Sequence, residues 1–558
     1  MKRAYILIAF FSAALGLFAQ VAPGKYFVEF TDKSNNPYSI DRPWEFLSQR
    51  ALDRRTAQGI AITETDLPVT PSYVEGVAAV GVTPVIRVKW LNGIIISCSD
   101  PGLIAAIEAL PYVKNVVKHS GPGQPASTGD KFREEMAPLT PVHELSVSSL
   151  KSTLSYNYGQ SYRQIAMVNG DKLHEEGFRG QGMVVAVLDA GFIGADTIRA
   201  FDSLRDNGQI LGSYNFVDPG QTVYSFHPHG TMVLSVMGAN LPGELIGTAP
   251  KADYWLLRSE DGGSEYIIEE YNGVAAAAFA DSVGVDVINS SLGYTEFNDS
   301  TQNHTCADMD GNSTPVTKGA NLAARRGMVV VNSAGNSGGS PWMCVGAPAD
   351  GTDVLAIAAV DSNGTYAPFS SWGRIDGSYV KPNVAGQGAM TVVAWTDGTV
   401  VRSNGTSFSS PLIAGMVASL WSARPGLAAT DVRRMIEQSG SQYTNPDTLL
   451  GYGIPDFMLI LGTRDAEKPS PVTVSVYPNP FDGPLTLLIS SGRSMTAGMS
   501  LWSMTGERVF SSGPLKVMKG ENRFGISLPS TLGTGLYLVQ ISDLKDGSSI
   551  ASLKIQKR

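Results

Sequence analysis

Three short segments carry residue types that could cooperate in acyl transfer. The aliphatic run Val184-Val185-Ala186-Val187-Leu188 ends in Asp189-Ala190-Gly191, so a carboxylate stands where a buried strand would turn into a glycine loop. His227-Pro228-His229-Gly230-Thr231 opens a helical stretch, and Gly405-Thr406-Ser407-Phe408-Ser409-Ser410-Pro411 leads into an apolar helix. Each segment alone has an ordinary structural explanation: an Asp at a strand end forms turns, a lone His is usually structural, and a Ser caps a helix. Together they supply what hydrolysis of an acyl bond needs. Ser407, at a helix N-terminus whose dipole favours negative charge, would attack. His229 would take the hydroxyl proton and return it to the leaving group, while Asp189 fixes the imidazole tautomer and stabilises the imidazolium. His227 is the rival for the middle role, but only His229 is followed by Gly-Thr. Asn336, after Ala334-Gly335, offers a side-chain amide that could join the Ser407 N–H around a developing oxyanion.

These groups need a scaffold that brings distant segments together. Across residues 158–462, short β-branched runs alternate with helical stretches, which predicts a buried parallel sheet covered by helices. The expected strands are 183–188, 285–288, 328–332 and 354–360, and the expected helices 266–283, 318–326, 408–423 and 431–438. With a helix starting at Phe408, Pro411 falls in the tolerant first turn. In open α/β sheets chemistry gathers at the carboxyl ends of strands, where Asp189, Asn289 and Asn332 fall. Upstream, residues 25–118 read as a split βαβ unit, with strands at 25–30, 85–89, 93–97 and 113–118 and helices at 44–58 and 102–109. Residues 120–153, rich in Gly, Pro, Ser and Thr with scattered charge around Asp130-Lys131-Phe132-Arg133-Glu134-Glu135, read as an exposed linker. Beyond Lys468-Pro469-Ser470-Pro471, strand alternation and turn dipeptides such as Asp482-Gly483 predict an antiparallel β-sandwich of about seven strands.

The order Asp189, His229, Ser407, and above all Gly405-Thr406-Ser407-Phe408-Ser409-Ser410-Pro411, resemble the subtilisin-like serine proteases, the subtilase family. The resemblance covers about residues 158–462 and implies a secreted endopeptidase that cleaves peptide bonds through an acyl-enzyme. Carried over by position, Asp189, His229 and Ser407 would form the triad and Asn336 the oxyanion site. Ser291-Leu292-Gly293 would pair with substrate backbone, and Ala334-Gly335 would line the cleft. Two positions depart from the family pattern: Ala190 stands where a hydroxyl residue is usual, and Met232 where a second histidine is. Residues 333–347, expected to shape the primary pocket, contain no acidic side chain, which points to apolar or mixed residues at the cleavage position. Residues 25–118 resemble a subtilase propeptide, an intramolecular inhibitor whose tail would lie in the cleft; on domain order alone, an adhesion domain is the alternative. Tyr477-Pro478-Asn479-Pro480, Met504-Thr505-Gly506, Gly535-Leu536-Tyr537-Leu538-Val539 and the basic end Lys554-Ile555-Gln556-Lys557-Arg558 resemble the C-terminal sorting domain of type IX secretion substrates. That likeness implies recognition by the type IX machinery and export across both membranes of a Gram-negative bacterium, to the cell surface or beyond. The fold class expected is α/β, a mostly parallel subtilisin-like sheet with helices on both faces, between a small α+β propeptide and a small all-β sandwich. The expected divisions are a signal peptide at 1–19, the propeptide at 20–119, a linker at 120–155, the protease at 156–465 and the sorting domain at 472–558.

Composition limits the alternatives. The 558 residues carry 42 Lys+Arg against 51 Asp+Glu, a net charge of −9, which lacks the basic excess that nucleic-acid binding exploits. Met1-Lys2-Arg3 followed by an apolar run to Ala19 reads as an export signal, shorter than the roughly 20 apolar residues of a membrane span. No later apolar run reaches spanning length, so no transmembrane helix is expected in the mature chain. Of the 3 cysteines, Cys98 lies in the propeptide-like region, leaving Cys306 and Cys344 either to bond, worth at most about 4 kcal/mol by loop closure, or to remain separate thiols. Asp308, Asp310 and Asn312 alternate as calcium-loop ligands do, but lack a closing Glu, and an Asx-rich turn is the competing reading. No cofactor is expected for catalysis, while the family resemblance implies that structural calcium can occur without locating it. The rival from another class is an inactive subtilase fold used for surface binding or adhesion.

Overall fold

The computed structural model describes residues 24–118, 130–136, 140–141, 156–376, 379–462, 472–491, 494–503, 508–545 and 549–558. They fall into two units, Met1–Leu461 and Gly462–Arg558. The expected leader at 1–19 lies outside the described residues.

In the first unit a 7-stranded parallel sheet has the order Val384–Gln387, Leu355–Val360, Val329–Ser333, Val287–Ser290, Val184–Asp189, Asp253–Arg258, Ile210–Asn215. Its central strands are buried at every position rather than alternating, which is why they read as continuous β-branched runs. One face is covered by the helices His229–Gly238 and Thr406–Ala423, both buried along most of their length. The other carries Ile268–Val283 and Pro315–Arg325. This is the α/β architecture expected, and the helix boundaries differ from the expectation by a few residues at their ends.

The propeptide-like region forms a 4-stranded antiparallel sheet in the order Thr83–Val88, Gly93–Ser97, Lys25–Phe30, Val113–Lys118. Strands Lys25–Phe30 and Thr83–Val88 run parallel with Gly93–Ser97 between them, the split arrangement that the sequence suggests. An additional helix, Pro71–Ala78, offers only Val74 and Val77 to the core, too short a period to stand out. This sheet packs on helix Ile268–Val283, with the Phe27 and Tyr271 rings 4.4 Å apart. A buried charge network joins the same surfaces: Arg54 donates to Asp281 at 2.5 Å, and Arg55 bridges Asp281 and Asp66 at 2.9 Å each. Pairing of this kind offsets the cost of burying the charges, although Arg54 Nε and Arg55 Nε find no partner among the described residues.

Of the expected exposed linker, residues 120–129, 137–139 and 142–153 lie outside the described residues, and at 130–136 the structure corrects it. Arg133–Met136 is a single helical turn with Phe132 and Glu135 buried, and Thr140–Pro141 adds a strand beside Val400–Ser403. Such a turn has no periodicity of its own, because its conformation is set by the cleft that holds it.

The second unit contains two antiparallel sheets, Thr473–Tyr477/Leu485–Ser491/Gly520–Ile526 and a larger one built on Met495–Ser503, Gly535–Asp543 and Ser549–Lys557. Inward residues such as Leu485, Leu487, Met499, Leu501, Val539 and Ile541 form its core. Asn479 of the Tyr-Pro-Asn-Pro turn clamps the last strand, accepting from Gln556 N at 2.9 Å and donating to Lys554 O at 3.0 Å. Met504-Thr505-Gly506 lies outside the described residues.

Candidate active site

Asp189 ends the central strand Val184–Asp189, held between parallel neighbours on both sides. His229 is the first residue of helix His229–Gly238, and the glycine after it is a packing requirement. A Cβ at Gly230 would lie 2.4 Å from the Gly191 carbonyl oxygen and 2.9 Å from Asp189 Cβ. Thr231 anchors the same turn by donating from Oγ1 to the Ile193 carbonyl at 2.7 Å. The result is a 2.8 Å contact between His229 Nδ1 and Asp189 Oδ1, with both side chains completely buried. Asp189 Oδ1 also accepts from Ala190 N at 2.7 Å, while Oδ2 is buried and finds no partner among the described residues. Ala190, lacking a hydroxyl, offers it none.

Ser407 sits in the first turn of helix Thr406–Ala423, which begins earlier than expected, so Pro411 lies in the helix interior rather than its first turn. Proline has no N–H for the carbonyl four residues back. That carbonyl belongs to Ser407, and it accepts instead from Ser291 Oγ at 2.9 Å. The proline thereby leaves a bond that ties the serine's backbone to the segment beyond strand Val287–Ser290. Replacing Ser291 with alanine leaves a buried carbonyl unsatisfied and is expected to cost about 1–3 kcal/mol. Chemical denaturation of the purified variant measures it, and an unchanged midpoint counts against this tie.

A carboxylate from the segment expected to be a linker lies between His229 and Ser407. Glu135 Oε2 is 2.9 Å from His229 Nε2, and Oε1 accepts from Ser407 Oγ at 2.8 Å and from Asn336 Nδ2 at 2.5 Å. Asn336 Oδ1 in turn accepts from Thr406 N and Oγ1, both at 2.9 Å, which aims its amide at the same point. A Cβ at Gly405 would meet Glu135 Cδ at 2.7 Å, so glycine there makes room for the carboxylate. Phe132, one turn earlier, stacks on the His229 ring at 4.0 Å between centroids and packs against Ala190 and Leu292. Burial works against charge on His229, but the Asp189 and Glu135 carboxylates outweigh it and hold the imidazole up at about 10. His227 does not compete for this place. Its Nδ1 accepts from His229 N at 3.2 Å and its Nε2 is 3.0 Å from Asp130 Oδ2.

Other expected site residues separate into neighbours and scaffolding. Ser291, Leu292, Gly293, Gly335, Asn336, Cys344, Ser371, Thr406 and Ser407 line one cavity of about 200 Å³, together with Lys131, Glu260 and Glu265. Ser291-Leu292-Gly293 lies just past the end of its strand rather than within it. Ala334 is buried and donates from its N–H to Ile357 O at 2.9 Å, behind the cleft wall. Asn289 and Asn332, at strand ends, hold loops: Asn289 Oδ1 accepts from Ser410 Oγ at 2.8 Å, and Asn332 Nδ2 donates to Leu292 O at 2.9 Å. Cys306 and Cys344 are joined by a disulfide, which ties the cavity wall at Cys344 to a loop, while Cys98 is a buried free thiol.

The Asp308, Asp310 and Asn312 loop is closed by its own donors. Asp308 Oδ2 accepts from Thr305 N and Oγ1 at 2.7 Å, and Asp310 Oδ1 accepts from Asn312 N at 2.8 Å and Ser313 N at 2.7 Å. Those donors hold both carboxyls below their usual range, led by the Thr305 hydroxyl for Asp308 and the Ser313 hydroxyl for Asp310. The spacing is that of an Asx-rich turn. Sequence reasoning missed Glu135, Phe132 and Lys131 altogether. The one available signal was an apolar and an acidic residue three apart in Phe132-Arg133-Glu134-Glu135, which one helical turn places on a single face.

Comparison with known proteins accounts for the three regions separately. Residues 180–453 match the Subtilase family, residues 25–131 the Peptidase S8 propeptide domain of Bacteroidota, and residues 475–556 a secretion system C-terminal sorting domain. Subtilisin DY of Bacillus licheniformis is 29% identical over 283 residues, covering 50% of this chain and 90% of the relative. The thermostable alkaline protease of Halalkalibacterium halodurans is 29% identical over 292 residues, 52% of this chain and 70% of the relative. Thermitase of Thermoactinomyces vulgaris is 28% identical over 277 residues, 49% of this chain and 86% of the relative. With a parallel sheet, an Asp–His contact at a strand end and a serine at a helix start, the chain belongs to the subtilase family, as a subtilisin-like serine endopeptidase with a propeptide ahead of it and a secretion sorting domain behind it.

Proposed function

We propose that Asp189, His229 and Ser407 perform this peptide hydrolysis, with Asn336 stabilising the oxyanion, and that residues 130–136 hold the enzyme shut before maturation. The observation that carries this reading is one negatively charged oxygen pair held at once by His229, Ser407 and Asn336. Asn336 Nδ2, which donates to that carboxylate, is the amide that would donate to a tetrahedral oxyanion. In the open site Ser407 Oγ attacks the substrate carbonyl carbon as His229 Nε2 takes the hydroxyl proton. The oxyanion rests on Asn336 Nδ2 and the Ser407 N–H, and the carbon–nitrogen bond breaks as His229 returns the proton to the leaving amine. Water, deprotonated by the same imidazole, then releases the acyl group. Asp189 keeps Nδ1 protonated throughout and stabilises the transient imidazolium.

Asn336→Ala is expected to lose about 3 kcal/mol of transition-state stabilisation, a figure known from a related subtilisin, which lowers kcat roughly a hundredfold with little change in KM. Steady-state kinetics on a chromogenic peptide measures this, and an unchanged kcat removes Asn336 from the role.

The blocking segment is not presented as a substrate. Its backbone bonds close within the turn, from Arg133 N to Asp130 O, Glu135 N to Phe132 O and Met136 N to Phe132 O. A curled segment offers no extended amide to Ser407, so it occupies the site without presenting a bond to be cut. The divisions at 1–19, 20–119, 120–155, 156–465 and 472–558 are part of this proposal, refined by assigning 130–136 to the cleft. Export by the type IX machinery of a Gram-negative bacterium is the route that accords with the sorting domain. Among the described residues, no helix is long and apolar enough to cross a membrane. Structural calcium, which the family resemblance implies, is tested by thermal unfolding with and without a chelator. Mass spectrometry of the full chain and of Ser407→Ala, following N-terminal processing and casein fragments, tests the whole reading.

A further inference from the structure

Lys131, four residues before Glu135, extends into a pocket of three carboxylates. Its ammonium contacts Glu260 Oε1, lies 3.2 Å from Glu265 Oε2 and is 3.3 Å from Glu269 Oε2. Ligand oxygens of these three glutamates lie within 4.8 Å of one another, the one such group of three His, Cys, Asp or Glu side chains among the described residues. The pocket opens into the same cavity as Ser291, Asn336 and Ser407.

The glutamates are held by groups that do not leave with the blocking segment. Glu260 Oε2 accepts from Tyr294 Oη at 2.5 Å. Glu269 accepts from Asp261 N at 2.7 Å and Tyr266 N at 2.9 Å, at the start of helix Ile268–Val283. The backbone of Glu265 exchanges bonds with Asn298, accepting at 2.8 Å and donating at 2.6 Å. The pocket therefore persists after Lys131 is withdrawn, as three close carboxylates that favour a cation. Burial and the neighbouring Glu269 push the Glu265 carboxyl up, while Lys131 pulls it down, so an empty pocket pays for its crowding and a filled one is relieved. Lys131 N also donates to Gly262 O at 3.2 Å, a backbone bond that an extended peptide entering the cleft could repeat.

Resting on the protease reading above, we infer that Glu260, Glu265 and Glu269 form a specificity pocket for a basic substrate side chain, upstream of the scissile bond, for which Lys131 stands in before maturation. Arginine suits it better than lysine. Glu265 Oε1 is buried without a hydrogen-bond partner among the described residues, and a guanidinium brings five donors in a fork where an ammonium brings three. Lys131 precedes by four residues Glu135, whose carboxylate sits at Ser407, so the positions bracketed are the third to fifth before the cut. The pocket is separate from residues 333–347 and leaves the expectation for the cleavage position itself unchanged.

The test uses matured full-chain enzyme and a set of internally quenched peptides. Arg, Lys, Leu or Glu is placed in turn at each of the five positions before the scissile bond, and the cut is verified by mass spectrometry. At one of the third to fifth positions, Arg is expected to raise kcat/KM about tenfold or more over Leu, with Lys intermediate and Glu poorest. In Glu265→Gln, and more so in the Glu260→Gln/Glu265→Gln pair, the Arg-to-Leu ratio is expected to fall below about threefold. The Leu peptide read in parallel reports whether each variant is folded. Equal rates for Arg and Leu at every position, in an enzyme that cuts the peptides, overturn the pocket while leaving the protease reading intact. A preference that survives both variants overturns it too, by placing recognition elsewhere. Failure of the matured wild type to cut any peptide overturns the protease reading, and the pocket with it.

Discussion

Ser407→Ala is expected to lower kcat for peptide hydrolysis by about a millionfold, to the level left by binding and oxyanion stabilisation alone, a magnitude known from a related subtilisin. The loss is that large because the alcohol is the attacking group, and no neighbouring hydroxyl can replace it. Ser409 Oγ donates to Thr406 O at 3.0 Å and Ser410 Oγ to Asn289 Oδ1 at 2.8 Å, both turned into the structure. The variant should fold, since the Ser407 carbonyl keeps its bond from Ser291 and only the Oγ contacts disappear. Casein fragments and the mature N-terminus should both be missing from the Ser407→Ala sample. If the propeptide is still removed while casein survives, another protease performs maturation; if casein is cut at a normal rate, Ser407 is not the nucleophile.

Glu135→Ala should open the unprocessed enzyme. The glutamate is buried and holds His229, Ser407 and Asn336 together, and removing one member of such a buried pair costs about 3–5 kcal/mol, which corresponds to roughly a thousandfold. It also acts through charge. With carboxylates on both sides, His229 is held at about 10, so at neutral pH it carries a proton and cannot serve as a base. Loss of Glu135 removes one of the two groups that raise it. Labelling of Ser407 by a fluorophosphonate, measured on the unprocessed chain, should accelerate about a thousandfold in Glu135→Ala. The pH dependence has a defined sign. A histidine held above its ordinary value of 6.5 stabilises the closed state in full below that value, and this stabilisation is lost as pH rises through about 10. Wild-type labelling should therefore stay slow across neutral pH and speed up toward pH 10, while Glu135→Ala should show no such alkaline release. Equal labelling rates for the two proteins would reject the closed-state role.

The match between sequence and structure differs by region for physical reasons. Strands at the sheet centre are buried on both faces, so each shows as an unbroken apolar run; the chain ends of strands 25–30, 93–97 and 113–118 coincide with the expectation. The start of helix Thr406–Ala423 is less legible, because it opens on Thr-Ser rather than on apolar residues. The expectation of an exposed linker failed where it mattered most, at residues 130–136. Mixed charge is normally the mark of solvent, and here three of the five charges have a partner drawn from far along the chain: Asp130 with His227, Lys131 with Glu260, Glu135 with His229, while Arg133 and Glu134 are exposed.

The sequence by itself determined the chemistry and the scaffold: an Asp at a strand end, a His-Gly-Thr helix start, a Gly-Thr-Ser helix start and the sheet that carries them. These are legible because they rest on local periodicity and on residue types whose reactivity is intrinsic. Only the tertiary structure decided that Cys306 and Cys344 meet, that the Asp308 loop closes on its own donors, and that Glu135 and Lys131 fill the cleft. The disulfide closes 38 residues of chain, and Glu135 meets partners 94 to 272 positions away; desolvation pairs such buried groups once they meet, and neither effect leaves a local pattern to read.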